Sequence, residues 1–216
     1  MNGRTHRLRL SMLIGLIILA AAPARASVIF DSFGPGNSYE LTDPAFITNP
    51  TDGNAFAYAQ QFTPVADAVF SSVDIPIQGN APLLYLYDLW LAEDDGGVPG
   101  NVIESFSAGT ITPNGTLNSV TSLNSLLSPT LLAGTPYYVV VAAAADNTVI
   151  WQSSELALTD PVFFRLNAEP WESSQIGTLA LRVNGEMGVV PEPATMLLFA
   201  SGLTGAFLRR RNKRLA

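Results

Sequence analysis

Residues 83–92 read Leu-Leu-Tyr-Leu-Tyr-Asp-Leu-Trp-Leu-Ala, with one charge in ten positions. A short apolar run this rich in aromatic residues is expected as a sandwich strand, buried on one face and partly covered on the other. Working outward, Tyr137 to Ala145 (YYVVVAAAA) is a second unbroken run of strand length; Tyr and Val favour strand, while the alanines leave helix open. Val69, Ser71, Val73, Ile75 and Ile77 alternate with residues such as Ser72 and Asp74, the period-2 pattern of a strand. Fainter strands are expected at 28–33, 55–63, 102–111, 148–152, 162–166 and 178–183. Turn chemistry separates them at Asp94-Asp95-Gly96-Gly97-Val98-Pro99-Gly100, Pro113-Asn114-Gly115, Asp146-Asn147 and Asn184-Gly185. Thr121 to Leu127 is the one helical candidate, and no internal repeat is present. Roughly nine short strands predict an all-β, two-sheet antiparallel β-sandwich, jelly-roll-like in path.

The ends are of a different kind. Arg4, Arg7 and Arg9 precede the apolar segment Leu10–Ala22, and Ala24-Arg25-Ala26 is a small-x-small site. Residues 1–26 therefore read as a signal peptide cut by signal peptidase after Ala26, with Ser27 as the first mature residue. Residues 27–188 form the extracellular body. Residues 189–214 form a second element: Pro191-Glu192-Pro193, an uncharged stretch 194–208, then Arg209-Arg210-Arg211-Asn212-Lys213-Arg214. As a transmembrane helix, 194–208 spans about 22 Å, short of the ~30 Å hydrocarbon core. The basic end should stay cytoplasmic, leaving the body outside that membrane. The two prolines fix φ and remove donors, so the Pro-Glu-Pro stretch is an extended, protease-accessible spacer.

Charge and missing residue types narrow the chemistry. The whole chain carries 11 Lys+Arg against 18 Asp+Glu. Nine of the basic residues lie in the two end segments; between 27 and 208 only Arg165 and Arg182 remain against all 18 acids, a net of −16. That sign excludes a nucleic-acid partner. The chain has no Cys, its one His is His6, and its one Lys is Lys213. A Ser-His-Asp or Cys-His machine, a His/Cys zinc site, a P-loop and Schiff-base chemistry are all out of reach of the body. No catalytic residue is assigned. A carboxylate-pair hydrolase is the one enzyme class the inventory permits, and no spacing selects such a pair.

Two constellations suit ligands. In Glu93-Asp94-Asp95-Gly96-Gly97 the carboxylates beside glycines suit Ca²⁺, with Asp94 and Asp95 first and Asp88 third. The EF-hand spacing is absent, and a solvated hairpin loop accounts for the same residues. Trp90, Trp151 and Trp171, with Tyr85 and Tyr87, offer rings that stack on sugars. Trp90 and Trp151 lie in apolar runs that point to a core; Trp171, between Pro170 and Glu172, is the best candidate for carbohydrate. Asn114-Gly115-Thr116 has the acceptor-sequon pattern, and in a bacterial chain reads as a tight turn.

Pro191-Glu192-Pro193, the short apolar helix and the terminal Arg cluster together resemble the PEP-CTERM sorting domain. That resemblance implies a Gram-negative bacterium, recognition by an exosortase, cleavage near the Pro-Glu-Pro, and transfer to the envelope or matrix. A second set of phrases covers most of 28–186: Asp31-Ser32-Phe33-Gly34-Pro35-Gly36, Leu86-Tyr87-Asp88 with Gly96-Gly97-Val98-Pro99-Gly100 and Ile103-Glu104-Ser105-Phe106, then Leu131-Leu132-Ala133-Gly134-Thr135-Pro136-Tyr137-Tyr138, Trp151 and Trp171. These resemble the choice-of-anchor R domain, which implies location and architecture but no activity. The expectation is an exported, non-catalytic envelope or exopolysaccharide-matrix protein, with no resident cofactor. The alternatives are a calcium- or carbohydrate-binding surface module and a polysaccharide hydrolase. Its expected partners are signal peptidase and exosortase, then extracellular polysaccharide, with the membrane held through the C-terminal helix.

Overall fold

The structure is a computed structural model and describes residues 26–50, 53–79, 85–111, 120–144 and 146–187. The expected signal peptide up to Arg25, the turn and sequon at 113–116, and the sorting tail with its expected helix 194–208 lie outside the described residues.

The two apolar runs build the centre of a six-stranded sheet. β10 (Tyr137–Ala143) lies between β3 (Phe56–Phe62) and β6 (Tyr85–Asp94), so the alanines of the second run do not divert it into helix. β7 (Pro99–Ile111), β12 (Val162–Leu166) and β13 (Glu172–Ser173) complete the order β13-β12-β3-β10-β6-β7. A second sheet runs β1 (Ala26–Asp31), β14 (Arg182–Met187), β4 (Ala68–Ile75), β8 (Thr121–Asn124), with β9 (Thr130–Leu131) also on β4. A third is β2 (Glu40–Asn49), β11 (Asn147–Ser153), β5 (Ile77–Gly79). Every strand pairing is antiparallel. The all-β reading holds: the only helical turn among the described residues is a 3₁₀ turn at Pro35–Asn37.

Strand alternation sends Phe62, Leu89, Leu91, Val139 and Val141 of the six-stranded sheet inward. They meet Phe70, Val73, Ile75 and Val183 of the second sheet and Ile47, Ile77, Val149 and Trp151 of the third in one core. Fully burying each such side chain contributes roughly 1.5–3 kcal/mol. Pro76 explains why three ladders stand where two sheets were expected. It separates β4 from β5, and proline brings no N–H to a ladder, so the chain leaves one sheet there and enters another.

Several sequence expectations are corrected here. Asn184-Gly185 is not a turn but the middle of β14, where the pairing with β4 shifts register: Asn184 opposes Ser72 and Gly185 opposes Phe70. Ser71 is the extra residue of a β-bulge, and it reverses the alternation of β4. Ala68 and Phe70 consequently face the core, while Val69, expected to share a face with Val73 and Ile75, is turned outward. Thr121–Asn124 is strand rather than helix, because β4 offers it an edge to pair with. The strand expected at 178–183 begins only at Arg182. Its leading part, Thr178–Leu181, is a buried irregular segment clamped from three sides. Ser32 Oγ donates to the Leu179 carbonyl (2.9 Å) and accepts the Leu181 N–H (2.8 Å). Gln60 Oε1 accepts the Leu179 N–H at 2.7 Å, and the Trp151 indole N–H donates to the Ala180 carbonyl at 2.8 Å. These side chains supplement the isolated backbone bridge between Leu179 and Ser153, for backbone that cannot reach water.

Candidate functional site

The Asp94–Gly100 turn joins β6 to β7, with Gly96 and Gly97 at φ 70° and 95°, a region that glycine enters without steric cost. Asp94 turns back onto its own sheet. Its Oδ1 accepts the Gly97 N–H at 3.1 Å and the Tyr138 hydroxyl at 2.8 Å, and Gln61 Nε2 donates to that hydroxyl at 2.9 Å. Burial, then the neighbouring Asp94 carboxylate, push the Tyr138 phenol above its ordinary range, which keeps it a proton donor. Asp95 is exposed and gives its backbone N–H to the Val98 carbonyl at 2.9 Å. Asp88 is exposed on β6. Among the described residues no three His, Cys, Asp or Glu side chains gather as a metal site. What Asp94 does in this fold is pin its turn to the sheet.

The outer face of the six-stranded sheet is more unusual. Register places Phe163 of β12 opposite Ala59, Val140 opposite Ala59, and Trp90 opposite Val140. One step along, Arg165 opposes Ala57. All these side chains therefore share one face. Ala59, Ala92, Tyr138 and Val140 form a small second core there, covered by Trp90, Phe163 and Trp171. Phe163 meets Tyr138 edge-on, ring centres 5.7 Å apart. The Arg165 guanidinium carbon lies 4.8 Å from the Trp171 ring centre and 5.9 Å from that of Trp90. Trp171 is thus half-buried under an arginine rather than freely exposed. Trp90 is half-buried on this face, whereas Trp151 is fully buried in the main core, as expected of it.

The two arginines of the body live differently. Arg182 meets Asp31 Oδ2 at 2.9 Å, donates to Asn37 Oδ1 at 2.6 Å, and lies 5.3 Å from the Phe33 ring. Arg165 has no carboxylate among the described residues, and its Nε is buried without a hydrogen-bond partner. The sequence singled out Trp171 but not Arg165 or Trp90, since nothing local links positions 90, 165 and 171. The available signal was that Arg165 is one of only two cations in the body.

The carboxylates with described partners serve the fold. Glu104 is buried and accepts three donors from residues 125–127. Asp74 accepts Ser122 Oγ at 2.5 Å and Asn184 Nδ2 at 3.0 Å. Hydrogen bonds from Thr42 hold Glu40 below the usual carboxylate range, and burial pushes Asp160 above it.

An acidic antiparallel β-sandwich followed by a tail of different composition is a folded cargo with an address attached. The address is a known one: residues 189–211 match the PEP-CTERM protein-sorting motif. The chain is accordingly an exported protein sorted by an exosortase-type system. The match takes in Pro191, Glu192, Pro193 and Arg209–Arg211; it does not reach the body, and the expected choice-of-anchor R domain over 28–186 is not confirmed. No curated protein matches the chain.

Proposed function

We propose that this chain is a non-catalytic component of the cell envelope or exopolysaccharide matrix, delivered there by cleavage at its sorting tail. The motif at 189–211 carries the reading. The body supports it: without Cys, His or Lys, and with Glu104 and Asp94 engaged in holding loops, it has the chemistry of a scaffold. A net charge of −16 over 27–208 keeps such a scaffold hydrated and dispersed among polymers.

The test is the intact mass and fractionation of the mature protein from its own host, with and without the sorting enzyme. A chain starting at Ser27 and ending near Pro191–Pro193, or bearing a new C-terminal adduct, and found outside the inner membrane, is the expected result. A chain still ending at Ala216 in both strains would make the tail an ordinary anchor and overturn the proposal. Turnover of any polysaccharide in a broad panel, abolished by a single Asp or Glu substitution, would overturn the non-catalytic part.

A further inference from the structure

We propose that the outer face of the six-stranded sheet, at Arg165 between Trp90 and Trp171, is a binding site for an acidic saccharide, with Arg165 taking the carboxylate of a uronate. The inference deepens the matrix reading above but rests on separate observations. The first is the isolation of the cation. In a body with seventeen carboxylates, Arg165 pairs with none that is described, while Arg182 is held by Asp31 and Asn37. The second is its setting. A guanidinium stacked 4.8 and 5.9 Å from two indoles is partly stripped of water, and a charge-assisted hydrogen bond formed there is stronger than one made on an open surface. The third is the Nε–H, buried with no acceptor among the described residues: no group of the body is placed to satisfy this arginine, and its outer nitrogens are left for a ligand.

The chemistry of the face selects the ligand. A guanidinium edge recognises a planar carboxylate, and the half-buried Trp90 and Trp171 beside it offer apolar surface to the C–H face of a pyranose. A neutral sugar would meet the indoles but leave Arg165 as it is. A small anion such as acetate would meet the arginine but leave the indoles uncovered. A uronate satisfies both. The acidic remainder of the body repels polyanions at long range, and that repulsion is screened within about 10 Å at 0.1 M salt, whereas the contact at Arg165 is short. Binding should therefore survive, rather than vanish, between low and physiological salt, the opposite of a simple basic patch.

The experiment titrates the purified full chain with a galacturonate trisaccharide, following tryptophan fluorescence and calorimetric heat, with its methyl ester as the neutral control. The expected result is saturable binding of the acid, at least tenfold weaker binding of the ester, and a fluorescence change on binding. Arg165→Gln should weaken binding of the acid at least tenfold, and Arg165→Lys, which keeps charge without the fork, several-fold. Trp171→Phe should weaken both ligands. Melting each variant identifies any that fails to fold, and Arg165→Lys, the milder change, then carries the comparison. Equal binding of acid and ester, unchanged binding in folded Arg165→Lys and Arg165→Gln, or no binding of the acid at millimolar concentration would each overturn the proposal. The processing experiment is read by mass, so either proposal can fail while the other stands.

Discussion

The carboxylate of Glu104 accepts the backbone N–H of Leu126 at 2.6 Å, and with it joins two sheets of the sandwich. Glu104 sits on β7 of the six-stranded sheet, and Leu126 lies in the link from β8 to β9 on the opposite sheet. The same side chain accepts Ser125 Oγ at 2.6 Å and the Leu127 N–H at 3.2 Å. Leu126 and Leu127 are 86 % and 67 % exposed, so apolar burial does not hold this link; the carboxylate does.

Glu104→Ala should therefore leave three donors without their acceptor and cost about 2–3 kcal/mol. A melting temperature lower by roughly 4–12 °C in a circular-dichroism melt is the expected reading. Glu104→Gln keeps one acceptor oxygen and should fall between the two. An unchanged melt in Glu104→Ala would show that the latch contributes nothing.

Gly185 is needed for closeness rather than for a turn. A Cβ there would lie 2.4 Å from both the Val69 carbonyl oxygen and Ile29 Cδ1, and a backbone oxygen in a sheet cannot step aside. Gly185→Ala should cost about 1–3 kcal/mol, as overpacking does. Gly177→Ala, where a Cβ meets nothing within 4 Å, should stay within about 0.5 kcal/mol. Denaturant midpoints of the two variants, measured side by side, check the contrast.

Tyr87 gives the fold an alkaline limit. Burial pushes its phenol up to about 12, against 10.0 for the ordinary group. Between those values the unfolded chain has released a proton that the folded one still holds. Stability is thus fully present below pH 10, declines above it, and is reduced by roughly 2–3 kcal/mol once pH has risen through 12. Tyr138, raised in the same direction, adds to the slope. Tyr87→Phe should flatten part of it, measured as the change in denaturant midpoint between about pH 9 and 11.5.

What was legible in the sequence was whatever depended on local pattern. β10 announces itself because a strand flanked on both sides and covered on both faces must be apolar throughout; β6, also flanked on both sides, does so through its buried face and Trp90, although Asp88 is exposed. β2 did not, since Glu40, Asp43 and Pro44 belong to an edge strand, where a missing N–H faces no partner and charges reach water. The bulge at Ser71 was invisible for another reason: the strand step it faces, Asn184 to Gly185, lies more than a hundred residues away. The sorting motif at 189–211 was readable because its meaning is linear. The Arg165 site was readable only as scattered tryptophans, since β6, β12 and the approach to β13 come together only through the sheet register.

The pairing of β1 with β14 carries a consequence for timing. Ser27 donates its hydroxyl to the Gly185 carbonyl at 3.1 Å, so the first described strand closes against nearly the last residues before the tail. β14 also separates β1 from β4, so β1 has no strand partner until residues 182–187 arrive. A chain that crosses the membrane from its N-terminus therefore cannot seal this sheet while any of the body is still inside. Completion of the fold becomes a record that translocation has finished, written only a few residues before the sorting motif begins at 189.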